Sequence, residues 1–371
     1  MTNPVSLRRD EQRPVLVTGG AGFIGSNIAD RLASEGEQVL IYDALARPGV
    51  ESNLEWLRRR HPGKISAVIA DVRDHDQLES AAREASAVFH MAAQVAVTTS
   101  LIEPIEDFEI NVGGTVHLLD ALRRTGRRIP LVFASTNKVY GDLADVGFVL
   151  EGEAYQAADQ AVRRRGIDES RPLDFHTPYG CSKGAADQYV LDYARSFGVP
   201  TCVFRMSCIY GPRQMGTEDQ GWVAHFLIRA LEGRAISLYG DGCQVRDILH
   251  VSDAVNAYVG AWRAIDNVQG TAFNLGGGPA NAVSLRRLLG YIEQLVGRPV
   301  EITYSDWRAG DQRYYVADTE AAAQALGLPR PMDWRAGVAD LAEWLAGERG
   351  LPLRGRGTTF PAAAAAAMAT S

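Results

Sequence analysis

Tyr179 and Lys183 stand four residues apart, and the heptad Ser135-Thr136-Asn137-Lys138-Val139-Tyr140-Gly141 lies upstream of them. On a helix, residues at this spacing share a face, so the Lys183 ammonium can approach the Tyr179 phenol. A nearby cation favours the phenolate and draws the tyrosine toward a pKa at which it exchanges a proton with a hydroxyl group. The pair suits redox chemistry at a hydroxyl-bearing carbon. Two residues of the upstream heptad restrict what else can happen there. Asn137 carries an amide, which cannot donate a proton as an acid, and Lys138 offers no carboxylate base. The bland alternative for Lys138 is a strand-end lysine facing solvent. Only three of the 38 basic residues are lysines (Lys64, Lys138 and Lys183), so two of the three flank the suspected chemistry. Arginine keeps its charge permanently in a rigid plane, and a compact ammonium does not.

Elements must bring these residues together. The first half alternates short apolar runs with helical patterns, which reads as repeated βαβ units and a parallel sheet. Strands are expected at Val15–Thr18, Gln38–Tyr42, Ile65–Ala70, Ala87–His90, Leu131–Ser135 and Thr201–Arg205, and helices at Phe23–Glu35, Val112–Thr125 and Tyr179–Phe197. Between Gly141 and Phe175 the pattern breaks into a long polar stretch, and a loop of that length in a compact domain is usually functional. A tolerated surface insertion is the alternative. After Gly211-Pro212 the alternation becomes irregular, as in a smaller appended lobe with a strand at Ala235–Leu238.

Composition removes several function classes. The chain has 371 residues, enough to bury a full core in one large domain or two modest ones. A formal charge of −7 gives no support for nucleic-acid or anionic-membrane binding. No apolar run approaches the roughly 20 residues of a membrane span. The first residues, MTNPVSLRRDEQRP, carry basic side chains without a following apolar core, so no secretory signal is expected. Cys181, Cys202, Cys208 and Cys243 have no metal-ligand spacing, so no metal site is expected and a reducing cytoplasm fits. The alanine-rich tail, 357–371, reads as disordered.

Gly19, Gly22 and Gly25 fall at G-x-x-G-x-x-G spacing, after a strand and at the start of a helix that continues through Phe23 and Ile24. Bare backbone there can turn tightly and approach a pyrophosphate lying on the helix N-terminus. Asp43 follows at the end of the next strand, where its carboxylate suits the hydroxyls of an adenosine ribose and repels a 2′-phosphate. NAD is therefore favoured over NADP, although Arg47 nearby pulls the other way.

These motifs resemble the extended short-chain dehydrogenase/reductase family of nucleotide-sugar epimerases and dehydratases. TGGAGFIG, Asp71-Val72, HMAAQ, Asn111 in NVGGT, STNKVYGD, Tyr179-x-x-x-Lys183 and RMSCIYGP carry the resemblance, which runs from about Val15 to Trp344. It implies a doubly wound α/β fold of Rossmann type with a smaller, interleaved C-terminal lobe. Residues 14–206, with about 240–270, would form the NAD-binding domain, and 207–239 with 271–345 the nucleotide-sugar lobe. Asp71 and Val72 would contact the adenine end. Ala92, Ala93 and Gln94 would lie beneath the nicotinamide, with Asn111 and Ser135 also on the cofactor's side. A phenolate at Tyr179 could then take the proton from a sugar hydroxyl as hydride leaves its carbon, and Thr136, at the family's serine/threonine position, would orient that hydroxyl.

Dehydratases of that family carry Asp-Glu directly after the catalytic threonine, to expel water. Asn137-Lys138 stands there instead, so the resemblance implies epimerisation. The segments GIDESRPLDFHTPYGCSKGAADQYVLDYARSFG, RMSCIYGPRQMGTEDQGWVAHF, GDGCQVRDILHVSD and GDQRYYVADT resemble members acting at C2 of a CDP-linked deoxyhexose. Cys208 replaces the asparagine usual in 4-epimerases. A homodimer or homotetramer is implied too. Arg246 and Arg313 are candidates for the diphosphate, because guanidinium forks match phosphate oxygens. Arg205 and Arg213 are further candidates, with structural ion pairs as the alternative. Gln220, Trp222 and His225 would line the nucleotide pocket. A 4-epimerase, an epimerase of a UDP-, GDP- or TDP-sugar, and a non-catalytic NAD-binding regulator remain the other readings.

Overall fold

The computed structural model describes residues 13–308 and 311–353. The tail expected to be disordered lies outside the described residues. All six expected strands form, with ends within one residue of those read from the sequence. They join one parallel sheet in the order Thr271–Leu275, Thr201–Met206, Leu131–Thr136, Ala87–His90, Val15–Thr18, Val39–Asp43, Ile65–Ile69. The inner strands are buried along their length, as a sheet covered by helices on both faces requires. The strand order reverses between Val15–Thr18 and Ala87–His90, so a crevice opens at their carboxyl ends. The chain has the Rossmann-type α/β fold.

Thr271–Leu275 falls in the range assigned to the smaller lobe, yet it forms the edge of this sheet. It pairs with Thr201–Met206 in register, Phe273 opposite Phe204. Its alternation was lost among the irregular segments that surround it. The expected helix at Val112–Thr125 is also modified. A wide π turn, Glu109–Gly113, leads into Gly114–Arg124. Gly114 is required there, because a Cβ would sit 2.8 Å from Val72 Cγ2.

The second lobe has its own core, formed by helices Trp222–Glu232, Leu285–Val296 and Trp334–Arg349. It holds two small sheets. Val245–His250, within the stretch expected to join the cofactor domain, instead pairs with Cys208–Tyr210, Ala282–Ser284 and Tyr314–Tyr315, while Ile236–Tyr239 runs parallel to Ile302–Ser305.

The stretch between Gly141 and Phe175 is a hairpin, Phe148–Glu151 with Ala154–Ala157, followed by the short helix Gln160–Arg165. Val146, Ala157 and Ile167 from it pack with Tyr140, Tyr314 and Tyr315. None of its residues lines the cavity described below. Its apolar residues, spaced too irregularly to read as an element, tie the second lobe to the first.

Candidate active site

A cavity of about 1030 Å³ runs along the carboxyl edge of the main sheet and into the second lobe. At its first end the chain turns at Gly19, whose φ of +64° is left-handed; a Cβ there would lie 2.7 Å from the Ala92 nitrogen. A Cβ on Gly25 would overlap the Gly19 carbonyl oxygen. Gly22 caps the helix Phe23–Ser34, and with Phe23, Ile24 and Gly25 it lines the cavity. Backbone N–H groups at such a helix start suit a pyrophosphate.

Asp43 closes this end. Its carboxylate accepts from the Ala21 nitrogen at 3.0 Å and the Leu45 nitrogen at 2.8 Å, and burial pushes its pKa up against those bonds. Asp71 is gripped by Arg73 at 2.9 and 2.8 Å, which holds its carboxyl below the usual range. Asp71, Val72, Ala92 and Ala93 all border the cavity. So does Asn53, which is fully buried and donates to the Ala21 and Arg213 carbonyls while its Oδ1 lacks any partner. An orphaned acceptor beside a glycine cradle and a strand-end carboxylate fits the hydroxyl-rich sugar of a dinucleotide such as NAD.

Two expected cofactor residues stand one layer back. Asn111 and Gln94 do not line the cavity. The Asn111 amide donates to the Gln94 carbonyl and to Ser182 Oγ, both at 3.0 Å, while the Gln94 amide donates to Asp107 at 2.9 Å. They brace the strand end against the helix Thr177–Phe197. Ser135 is similar: it lines the cavity, but its hydroxyl donates to Asp187 at 2.7 Å. Asp187 also holds Arg205 through two bonds of 3.0 Å. Arg205 is therefore committed to a buried ion pair and does not reach the cavity, as the alternative reading of it held.

The helix Thr177–Phe197 presents Tyr179 and Lys183 on its buried face. Burial pushes the Tyr179 pKa up to about 12, with the neighbouring Thr136 hydroxyl pulling it down. The cation that opposes this shift is Arg47, at the cavity wall. The expected contribution of the Lys183 ammonium is corrected: it is not among the groups that shift the phenol, and desolvation outweighs Thr136 and Arg47. Lys183 lies 4.2 Å from the Phe133 ring centroid, and burial draws its pKa down to about 7 against the pull of Asp187 and Asp107.

Next to Thr136, the Asn137 amide donates to Gln312 Oε1 at 3.2 Å. Gln312 in turn donates to the Gly141 carbonyl at 2.5 Å, so Asn137 is fixed in place. Lys138 lines the cavity and is only partly exposed, which removes the solvent-facing alternative. Burial lowers its pKa to about 8, with Arg246 adding to the effect and Asp311 and Cys208 opposing it.

Beyond Lys138 the wall belongs to the second lobe. Arg246 is buried, bound to Asp311 at 2.6 Å and to the Gln312 carbonyl. The Trp222 indole donates to Cys208 Sγ at 3.3 Å. Gln220, Trp222, His225 and Arg213 share this wall, Arg213 stacking over Trp56 at 4.1 Å. Arg313 does not: it is exposed and lies 5.4 Å from the Trp307 ring and 5.7 Å from Tyr155. Gln312, one residue earlier, is buried and holds Asn137 instead.

Sequence reading missed Glu218, Tyr239, Gln244, Arg308 and Asp311, which also line the cavity. The clustering of Glu218, Asp219 and Gln220 before Trp222 was the one available signal. Outside the cavity, Asp142, Asp174 and His176 bring one potential ligand atom each within 4.8 Å of one another, a grouping the cysteine spacing could not reveal. Among the described residues no helix is long and apolar enough to cross a membrane.

The model of the NAD dependent epimerase/dehydratase family matches residues 15–276. The CDP-paratose 2-epimerase of Salmonella typhi is 41% identical over 337 residues, covering 89% of this chain and 98% of that protein. Among solved structures, the UDP-glucose 4-epimerase of Thermotoga maritima with UDP-glucose superposes with a TM-score of 0.78 at 28% identity, over 91% of this chain and 99% of that one. The UDP-glucose 4-epimerase of Thermus thermophilus in complex with NAD gives 0.74 at 31% identity, over 90% and 99%. With these likenesses added to the glycine cradle and the Thr136–Tyr179–Lys183 group, the chain belongs to the NAD-dependent epimerase/dehydratase family.

Proposed function

We propose that this NAD-dependent epimerase inverts C2 of a CDP-linked deoxyhexose through a 2-keto sugar. The carrying observation is that Thr136 and Tyr179 face the same cavity with an amide and an ammonium beside them, where an eliminating enzyme needs an acid and a base. The 41% identity to a CDP-sugar 2-epimerase supports the choice of nucleotide and carbon. Bound NAD supplies the hydride acceptor and a positive ring charge that favours the phenolate. Thr136 orients the reacting hydroxyl, and the Tyr179 oxygen takes its proton as the C–H bond breaks. The same proton returns to the oxygen when hydride is restored to the opposite face. The atoms balance without loss of water, and the sugar must turn over between the two half-reactions.

Arg47 lends the phenol positive charge, and Lys183 stands one turn along the same helix. Lys138 and Arg246 form the cationic wall between the reacting sugar and the second lobe, where a diphosphate is best held. Exposed apolar side chains at Leu101, Ile102, Ile105 and Phe108 support a homodimer or homotetramer. Light scattering checks this assembly. The activity is tested by supplying CDP-paratose, CDP-glucose and UDP-glucose separately and assigning the product stereocentre by NMR. Inversion at C2 of the CDP-deoxysugar is expected; a main product inverted at C4 sinks the proposal.

A further inference from the structure

The far end of the cavity, in the second lobe, is built from groups that accept hydrogen bonds. Glu218 lines it, and the Tyr239 hydroxyl donates to Glu218 Oε1. Arg308 reaches the same oxygen at 3.5 Å and donates to the Glu218 carbonyl at 3.1 Å. Its guanidinium lies 3.8 Å from the centroid of the Tyr239 ring. Both side-chain contacts fall on Oε1, so the carboxylate is oriented while Oε2 keeps its acceptor capacity.

A second group points the same way. Gln244 is 2% exposed and lines the cavity. Its Nε2 donates to the Tyr239 carbonyl at 2.7 Å, which fixes the orientation of the amide, and its Oε1 is buried with no partner. Two acceptors, one charged and one orphaned, are thus anchored to opposite ends of Tyr239. An orphaned buried acceptor is costly unless a ligand donates to it.

Pyrimidine bases differ at this kind of edge. Cytosine carries an amine at C4, a donor with two hydrogens, whereas uracil and thymine carry a carbonyl oxygen. A carboxylate accepts from the cytosine amine and repels the carbonyl. The Arg308–Tyr239 stack adds a planar surface of the kind on which bases lie. We propose that Glu218, held by Tyr239 and Arg308, reads the nucleobase and selects cytosine over uracil and thymine. This rests on the reading of the substrate as a CDP-sugar and gives it a physical origin.

Binding of CDP, UDP and dTDP to the NAD-loaded protein, measured by calorimetry, tests it without any turnover. The wild type is expected to bind CDP at least about tenfold more tightly than UDP, the value of one hydrogen bond to a charged group. In Glu218→Gln the amide can donate to a uracil carbonyl, so UDP affinity rises and the CDP-to-UDP ratio falls to within about threefold of unity. In Glu218→Ala, CDP affinity falls about tenfold or more while UDP affinity moves less than about threefold. A wild-type preference for CDP that survives unchanged in Glu218→Gln overturns the role of Glu218 and leaves the CDP-sugar reading standing. A wild type that binds UDP or dTDP more tightly than CDP overturns both.

Discussion

The two halves of the cavity are made differently. The cofactor half is shaped by backbone: left-handed Gly19, the crowded Gly25, and a helix start that offers its N–H groups. The substrate half is shaped by side chains drawn from distant segments: Lys138, Cys208, Glu218, Trp222, Arg246 and Asp311. Backbone cradles tolerate almost no change at a few glycines and carry little information about the ligand beyond its phosphates. Side-chain walls can be altered residue by residue, and identity is therefore written there. The Thr136–Tyr179–Lys183 group lies where the two halves meet.

Changes on each side should fail in different ways. The largest effect is expected for Tyr179→Phe, which removes the proton-exchanging oxygen: kcat should fall about 10²- to 10⁴-fold while NAD, measured by absorbance, stays bound. Gly25→Ala should do the reverse. Its methyl group overlaps the Gly19 carbonyl, and a strain of about 1–3 kcal/mol lowers NAD affinity roughly 5- to 150-fold, seen as loss of cofactor on purification. Arg246→Met strikes the side-chain wall, and KM for the nucleotide sugar should rise about 10- to 100-fold with little change in NAD content.

The smallest expected effect concerns pH. Burial lowers Lys183 to about 7 and Lys138 to about 8 from an ordinary 10.5. Between about 7 and 10.5 the unfolded chain then binds more protons than the folded one, so these two groups make stability rise with pH across that window. Below about 7 the full penalty of the buried charge is present. In Lys183→Met the increase in unfolding temperature of the cofactor-free protein from about pH 7 to pH 9 should be smaller than in the wild type. An equal increase would place Lys183 in a better-solvated setting.

The same contrast governs what could be read from the sequence. The parallel sheet and the glycine cradle were legible because both rest on local patterns, apolar runs and fixed spacing. The positions of Thr136, Tyr179 and Lys183 followed from helix geometry and a strand end. Burial reversed the expected direction of the Tyr179 shift, since desolvation depends on the closed cavity and no spacing records it. Arg313 looked as suitable as Arg246, yet tertiary packing leaves Arg313 exposed and buries Gln312 beside it. Arg205 was absorbed by Asp187, a partner on another element. Glu218, Tyr239 and Arg308 meet only through tertiary packing of segments separated by 21 and 90 residues from Glu218, so no local pattern announces them. The strand Thr271–Leu275 was missed for a related reason: a short edge strand leaves little periodicity.

The central claim is that hydride is removed from a sugar carbon and returned to that same carbon with no elimination between. A CDP-linked deoxyhexose carrying deuterium at C2, turned over in ordinary water, tests this directly by NMR and mass spectrometry. The account predicts a C2-inverted product that keeps the deuterium on C2 and its full complement of oxygen. Washout of the label, or a product lighter by one water, would contradict it.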